Sequence, residues 1–305
     1  MSVKPASAAG AARARARLLL LGSAVCFGLM AVLARRLGRG GASGGFTPGQ
    51  LAVVRFAAGA LFSLVAFRLR PGLHAPVNRR LLWSRGLSGG IVVVLYFLAL
   101  ARLPAGEAGL LYNLFPVFAT ALAIPLFGER PTVHLGLGLL TATAGVAILL
   151  VGGGLAPAGG GLGGGGAGLG EALAVGAAVF AAVSAVTIRA MRQHDNAATI
   201  FFYFCLGGLP VALPFALDPW PLAVGPWGLA LLMAASAWAA QVFMAEAYGA
   251  LTVGEAAVWL QLTPVAQALV AVPILGERLT AWSLLGVLVG VAGVAWGSAM
   301  GSRTR

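Results

Sequence analysis

Charged residues are scarce in this sequence: only 9% of its 305 residues are Asp, Glu, Lys or Arg, whereas 60% are hydrophobic. A soluble domain carries roughly 25% charged residues. With so few polar groups the chain cannot build a surface that faces water, so lipid must be the solvent for most of it. The lack of charge excludes an ordinary soluble protein and predicts a membrane protein.

Cysteine and histidine are also rare. The two cysteines, Cys26 and Cys205, lie inside apolar runs and are expected to be packing residues. The three histidines, His74, His134 and His194, show no metal-ligand spacing, and no nucleophile stands beside a base. We therefore predict that the chain is not an enzyme and has no metal site and no cofactor.

The net charge of +12 would suggest a nucleic-acid partner in a soluble protein. Here the arginines lie in the breaks between apolar runs, where they set membrane topology and meet anionic headgroups. We expect membrane lipid, and no nucleic acid, as the partner of this charge.

Ten apolar runs are long enough to be membrane-spanning helices, which need about 20 residues. Barrel strands would be about half as long and would alternate in polarity. The run that follows the N-terminal arginines is too long for a signal peptide, so it is read as a retained first span. The expected spans are 18–37, 49–69, 82–101, 105–127, 133–152, 170–190, 197–217, 227–249, 253–275 and 281–300.

The distribution of Lys and Arg predicts the orientation. With a cytoplasmic N-terminus, 14 of these residues fall in inside segments and 5 in outside segments, with Arg55 left within a span. Positive charge favours the cytoplasmic side, so both termini are predicted to be cytoplasmic.

One stretch occurs twice. The segment 103–147 matches 251–295 at a constant offset of 148, with 20 of 45 positions identical. The identities include two prolines in each copy and the triplet Gly-Glu-Arg at 128–130 and 276–278. Chance does not keep prolines and charges in register over that length, so the chain contains an internal duplication.

The two copies predict the domain organisation. Residues 1–151 form the first five-helix repeat, 152–169 a glycine-rich linker, and 170–305 the second repeat. An odd number of spans per repeat inverts the second copy. Inverted repeats are typical of transporters that alternate access to a site near the bilayer midplane.

The duplicated prolines predict where that site lies. Pro116 and Pro264 each remove a backbone donor in mid-span and free a carbonyl, which in lipid needs a partner. Ordinary kinks satisfied by neighbouring helices are the alternative. Aromatic and amide side chains surround these prolines, as suits a ligand with an apolar body and a polar end. The candidate substrate-binding residues are Tyr96, Tyr112, Asn113, Phe115, Trp238, Gln241, Trp259, Gln261 and Thr263.

Charges within spans are costly, which makes four residues candidates for gating or coupling. Arg55 and Glu107 are predicted to lie at similar depth near the outside and to pair. Glu246 and Glu255 are predicted to lie toward the inside, where two close carboxylates would bind a proton or a cation. Structural anchoring is an equal alternative for the two glutamates.

The last span of each repeat carries closely spaced glycines, at 136, 138 and 145 and at 286, 290 and 293. Small residues at this spacing let helices approach closely. They predict close packing within the monomer or in a homodimer.

The PAGEAG and TVGEAA starts, the mid-helix prolines, the GER turns and the spans ending in AGVA resemble the EamA family of the drug/metabolite transporter superfamily. Within it the chain is most similar to the YddG-type aromatic amino-acid exporters. The resemblance implies a ten-helix bundle with a central cavity that exports amino acids or related metabolites. It also implies that Tyr96, Asn113, Phe115 and Phe180 match positions lining that cavity.

These observations lead to one principal hypothesis and two alternatives. The principal one is a bacterial inner-membrane exporter of aromatic or other neutral amino acids, or related small metabolites, by alternating access. The nearer alternative is an exporter of cationic drugs or other metabolites that uses Glu246 and Glu255. The other is a membrane interaction or lipid-handling protein without solute flux.

Overall fold

A computed structural model describes residues 6–38, 45–100, 102–103, 105–152 and 168–301. The side chains of some helical residues, Glu107 among them, are outside this description. The described chain is built from α-helices and short turns. The predicted glycine-rich linker falls almost entirely on residues 153–167, which are outside the described part.

Twelve α-helices follow one another along the described chain. They are α1 (Ala6–Gly38), α2 (Pro48–Leu69), α3 (Arg79–Leu100), α4 (Ala105–Tyr112), α5 (Phe115–Phe127), α6 (Val133–Gly152), α7 (Leu169–Met191), α8 (Ala197–Ala212), α9 (Gly225–Tyr248), α10 (Val253–Leu260), α11 (Leu262–Leu275) and α12 (Ala281–Gly301).

Nine segments of the described chain are long and apolar enough to cross a membrane. Two of them are helix pairs, α4 with α5 and α10 with α11, which run through Ala108–Phe127 and Val253–Leu275. The 22-residue α3 is the remaining helix of comparable length. The all-α membrane fold predicted from the sequence is confirmed.

Two span boundaries differ from the prediction. The first helix begins at Ala6 rather than near residue 18, because its Ala- and Arg-rich start consists of strong helix formers. The seventh span ends as an α-helix at Ala212 and continues as one 3₁₀ turn, Leu213–Phe215. Pro214 lies in that turn, and its missing N–H cannot extend an α-helical ladder.

The two repeats make equivalent contacts. α1 packs along α9 and α11, and its counterpart α7 packs along α3 and α5. α2 packs against α8, and α6 packs along α12, so each of these helices contacts its own counterpart. Exchanging the two halves therefore preserves the pattern of helix neighbours, as expected of a duplicated bundle.

The glycine-bearing faces of α6 and α12 meet inside the chain. A Cβ placed on Gly145 would fall 2.5 Å from the Cα of Gly290, and one on Gly293 would fall 2.9 Å from the Cα of Ala142. Gly138 likewise opposes Gly293 and Gly297, whereas Gly136 points into open space. Of the two roles predicted for these glycines, the structure therefore shows packing within one chain.

The Gly-Glu-Arg triplets end the broken spans. Gly128 and Gly276 stop α5 and α11 in the left-handed region, with φ of 62° and 67°, where a residue without Cβ is favoured. Just beyond, both carboxylate oxygens of Glu129 accept from the backbone N–H of Val253, at 3.1 Å. A turn of the first repeat thus caps the N-terminus of α10 in the second.

Candidate functional site

The fourth and ninth spans are interrupted at equivalent points. A turn at Asn113–Leu114 separates α4 from α5, and Gln261 separates α10 from α11. Each break precedes a proline, Pro116 or Pro264, whose missing N–H leaves the carbonyl four residues earlier without its helical partner. The backbone at the breaks stays near helical values, with φ −76° and ψ −12° at Leu114. The spans therefore lose hydrogen bonds there without a sharp change of direction.

The two amides at the breaks have different partners. Asn113 is partly buried, and its Nδ2 donates to the carbonyl oxygen of Gly109 on its own helix, at 2.7 Å. Gln261 is only 1% exposed, and its Nε2 donates to Oγ1 of Thr143 on α6, at 2.7 Å. The Oε1 atom of Gln261 has no described partner. Gln261, which the sequence predicted as substrate-binding, thus donates into a helix–helix contact.

Three aromatic rings form a continuous row beside the first break. The rings of Tyr96 on α3 and Tyr112 on α4 are 4.9 Å apart, and those of Tyr112 and Phe115 are 5.6 Å apart. All three side chains are partly buried. The sequence predicted each of these residues as substrate-binding, and the structure brings them together.

The two tryptophans of the predicted site pack against different apolar clusters of the interior. Trp259 on α10 packs where two apolar clusters meet, one around Tyr248 and Leu260 and one around Leu262 and Val258. Trp238 on α9 donates from Nε1 to Oγ of Ser63 on α2, at 3.2 Å. Both indoles are partly buried.

The remaining three candidates are less closely tied to the row. Gln241 and Thr263 are partly buried, and no hydrogen bond of their side chains is described. Phe180 is 38% exposed on α7 and shares its exposed face with Val179 and Val183. Among the described residues it makes no ring contact with the aromatic row.

The two inner glutamates each have a separate partner. Oε2 of Glu246 lies 2.9 Å from the Arg192 guanidinium, and the Glu246 side chain is 41% exposed. Glu255 closes a capping box at the start of α10, where its carboxylate accepts from the backbone N–H of Thr252 at 3.2 Å. These partners support the anchoring alternative rather than a shared proton site. In the described part of the chain, no three His, Cys, Asp or Glu side chains form a group that could hold a metal ion.

A pair of interior arginines is the most unusual electrostatic feature of the bundle. The Cζ of Arg85 on α3 lies 4.3 Å from the ring centre of Phe204 on α8, and the Cζ of Arg55 on α2 lies 5.8 Å from it. Arg85 is only 4% exposed. Tyr112, the middle of the aromatic row, lies within electrostatic range of both guanidinium groups. The two arginines and the row therefore lie in the same region of the bundle.

Sequence reasoning found Arg55 and missed Arg85. Arg85 lies near the inner end of the expected span 82–101, and the orientation count includes it among the 14 inside residues; in the structure it follows the start of α3 by six residues. Six residues of helix rise about 9 Å along the axis, which carries the side chain into the bundle. The proposed partner of Arg55, Glu107, has a side chain outside the described part, so their pairing stays a prediction.

The sequence is similar to known membrane exporters. Residues 14–151 and 168–298 match the model of the EamA-like transporter family, one match for each repeat. Over 170 residues the chain is 26% identical to the pseudopaline exporter CntI of Pseudomonas aeruginosa strain PAO1, and equally to that of strain UCBPP-PA14. The match covers 55% of this chain and 57% of the length of these relatives.

The fold is also found among solved structures. One crystal structure aligns with a TM-score of 0.76 at 21% sequence identity, covering 95% of this chain and 98% of the other. At this identity the likeness concerns the fold alone. Since the family model matches both repeats and so most of the chain, the chain belongs to the EamA-like transporter family.

Proposed function

We propose that this protein exports small metabolites that carry amino and carboxyl groups, with amino acids as the simplest members of the class. The two repeats would alternate access to a site between them. The observation that carries the proposal is the break in the fourth span, where Asn113 interrupts the helix beside the row of Tyr96, Tyr112 and Phe115. Broken helices beside interior polar and aromatic groups are how many transporters hold a solute.

The substrate would lie with its apolar part on the aromatic row and its polar end at the breaks. Rings of this kind accept flat or apolar bodies, as in the aromatic amino-acid exporters of the YddG type. Carbonyl oxygens left without helical partners before Pro116 and Pro264 would accept hydrogen bonds from an amino group. The pseudopaline exporters among the relatives support export of a small metabolite without specifying an amino acid.

The expected location is the bacterial inner membrane, with both termini cytoplasmic. The Lys and Arg distribution supports this orientation: without the interior Arg85, 13 of these residues fall on the side of the termini and 5 on the other. An exporter takes up its substrate from the cytoplasm, so the substrate would enter from the face that carries the termini.

The proposal is tested with purified protein in liposomes. Counterflow of labelled amino acids is measured for a panel of neutral, acidic, basic and aromatic members. Flux of at least one class above that of empty vesicles supports the proposal, and no flux across the whole panel refutes it. Trp259→Ala and Asn113→Ala should reduce flux.

A matched variant separates the site from general damage. Trp282 is 63% exposed on α12, far from the breaks in sequence, so Trp282→Ala removes an equal volume without touching the interior. It should keep full flux. If Trp259→Ala and Asn113→Ala also keep full flux, the placement of the site is wrong.

Export of cationic drugs is the second candidate, but its main support is weakened. It required a carboxylate facing the cavity, and Glu246 and Glu255 hold Arg192 and the start of α10 instead. The third candidate, a membrane protein that handles lipid without solute flux, predicts no counterflow in the same liposomes.

A further inference from the structure

The described carboxylates are all placed away from the two interior arginines. Glu129 and Glu255 cap or close the start of α10, and Glu171 accepts from the Gly168 N–H. Asp195 accepts from the Val77 N–H, and Asp218 is exposed. The other two lie in ion pairs, Glu246 with Arg192 and Glu277 with Arg35.

Neither interior guanidinium has a hydrogen-bond or ion-pair partner among the described residues. The Nε atoms of Arg55 and Arg85 are both buried and unsatisfied. The Phe204 ring lies beside both guanidinium groups, and Tyr112 is within electrostatic range of both. Phe204 itself belongs to an apolar cluster that includes Phe56 and Cys205. A ring face attracts a cation but leaves its N–H donors unused.

Two unpaired positive charges in the interior of a membrane protein are costly and need a counter-ion. A guanidinium presents a planar fork of donors that matches a carboxylate in a two-bond geometry. The two forks come from α2 and α3 and lie beside the same Phe204 ring, so a ligand with one carboxylate for each fork would satisfy both charges. One carboxylate would neutralise only half of this charge.

We infer that Arg55 and Arg85 form a carboxylate-binding subsite, and that the transported metabolite carries at least two carboxylate groups. This inference rests on the proposed export function and names its substrate class. The aromatic row beside Tyr112 would hold the rest of the molecule. A neutral amino acid, with one carboxylate, would then be a poorer substrate than an acidic one.

The first test compares substrates in proteoliposomes. Labelled glutamate, which has two carboxylates, should move faster than labelled leucine or phenylalanine. Unlabelled succinate, which has two carboxylates and no amino group, should compete with glutamate, and inorganic phosphate should not. Faster leucine than glutamate flux, or competition by phosphate without competition by succinate, would overturn the assignment.

The second test uses variants of the two arginines. Arg55→Gln and Arg85→Gln should each lower glutamate flux about tenfold or more, since a hydrogen-bonded charge contact is worth about one order of magnitude in binding. Arg85→Lys, which keeps the charge but not the fork, should recover part of the loss. The control Arg68→Gln changes an exposed arginine and should keep full flux. Unchanged glutamate flux in both interior variants overturns the subsite.

A binding measurement separates this inference from the function itself. Glutamate should raise the Tm of the purified protein in detergent, and the increase should vanish in Arg55→Gln and Arg85→Gln. Absence of all flux with an arginine-dependent Tm increase would refute export and retain the subsite. Flux of neutral amino acids with no arginine-dependent Tm increase would retain export and refute the subsite.

Arg55 has two possible counter-ions, a carboxylate of the substrate and the side chain of Glu107. A Glu107 variant decides between them. If the substrate supplies the counter-ion, Glu107→Gln should leave the glutamate-dependent Tm increase intact. If Glu107 neutralises Arg55, glutamate must displace it, so Glu107→Gln should strengthen leucine binding as much as glutamate binding. The second outcome overturns the two-carboxylate requirement.

Discussion

Both carboxylate oxygens of Glu129 lie 3.1 Å from the backbone nitrogen of Val253, 124 residues further along the chain. The same carboxylate also lies 3.5 Å from the nitrogen of Gly254. A helix N-terminus leaves such N–H groups without partners and carries partial positive charge, so a carboxylate there is doubly favoured. The repeated turn of one half therefore holds the start of the broken span in the other half.

Glu129→Gln should weaken this connection between the repeats. The amide keeps one acceptor but loses the charge, so we expect a loss of about 1 kcal/mol, visible as a lower Tm in detergent. Glu171→Gln is the matched control, because Glu171 makes a comparable capping contact with the N–H of Gly168, three residues before it in the chain. The control should lower Tm less, since Glu171 joins no second element. An equal effect of the two variants would show that Glu129 adds nothing across the repeats.

The Glu129 contact shows where sequence reasoning succeeds and where it stops. The duplicated Gly-Glu-Arg triplet was visible in the sequence because identity in register needs no structure. The partner of Glu129 was not, because it lies in the other repeat and no local spacing connects them. Likewise, the apolar runs predicted the helices, and the prolines predicted the breaks beside Asn113 and Gln261. Which way the Gln261 amide turns depended on the neighbouring Thr143, which only packing reveals.

Gly128→Ala should destabilise the protein through the backbone alone. Gly128 has φ of 62°, and a Cβ added to it would meet nothing within 4 Å, so the change introduces strain without a clash. Placing a non-glycine residue in this region costs about 1–2 kcal/mol. The control is Gly228→Ala in α9, which also points into open space but has ordinary helical φ. Gly228→Ala should leave Tm unchanged or raise it, because alanine favours helix.

Arg85 marks a second limit of the sequence. Its position close to the start of α3 made it resemble the loop arginines that set topology, such as Arg79 and Arg80. Its distinguishing property is burial to 4% exposure beside Phe204, which depends on how α3 packs against α8. The helical rise from the first residue of the span shows that Arg85 reaches into the bundle. It does not show that Phe204 is the neighbour of Arg85.

Glu246→Gln tests whether the inner carboxylates couple transport to protons or cations. Glu246 pairs with Arg192 at 2.9 Å and is 41% exposed, so the pair should contribute less than about 1 kcal/mol to stability. We expect Tm to change by a few degrees at most. We also expect counterflow to keep its rate and its dependence on an imposed pH gradient. Loss of the response to the gradient would assign Glu246 a coupling role in place of the structural one.

The contact between α6 and α12 offers the sharpest comparison of two glycines on one helix. A Cβ on Gly145 would fall 2.5 Å from the Cα of Gly290, so Gly145→Ala forces two backbones apart. Overpacking of this kind costs about 1–3 kcal/mol. Gly136→Ala, on the same helix, meets nothing within 4 Å and should be neutral or stabilising. We expect Gly145→Ala to lower Tm and Gly136→Ala not to.

Because the contact joins the last spans of the two repeats within one chain, the effect should not depend on protein concentration. A concentration-dependent loss would instead place this glycine face between two copies of the chain.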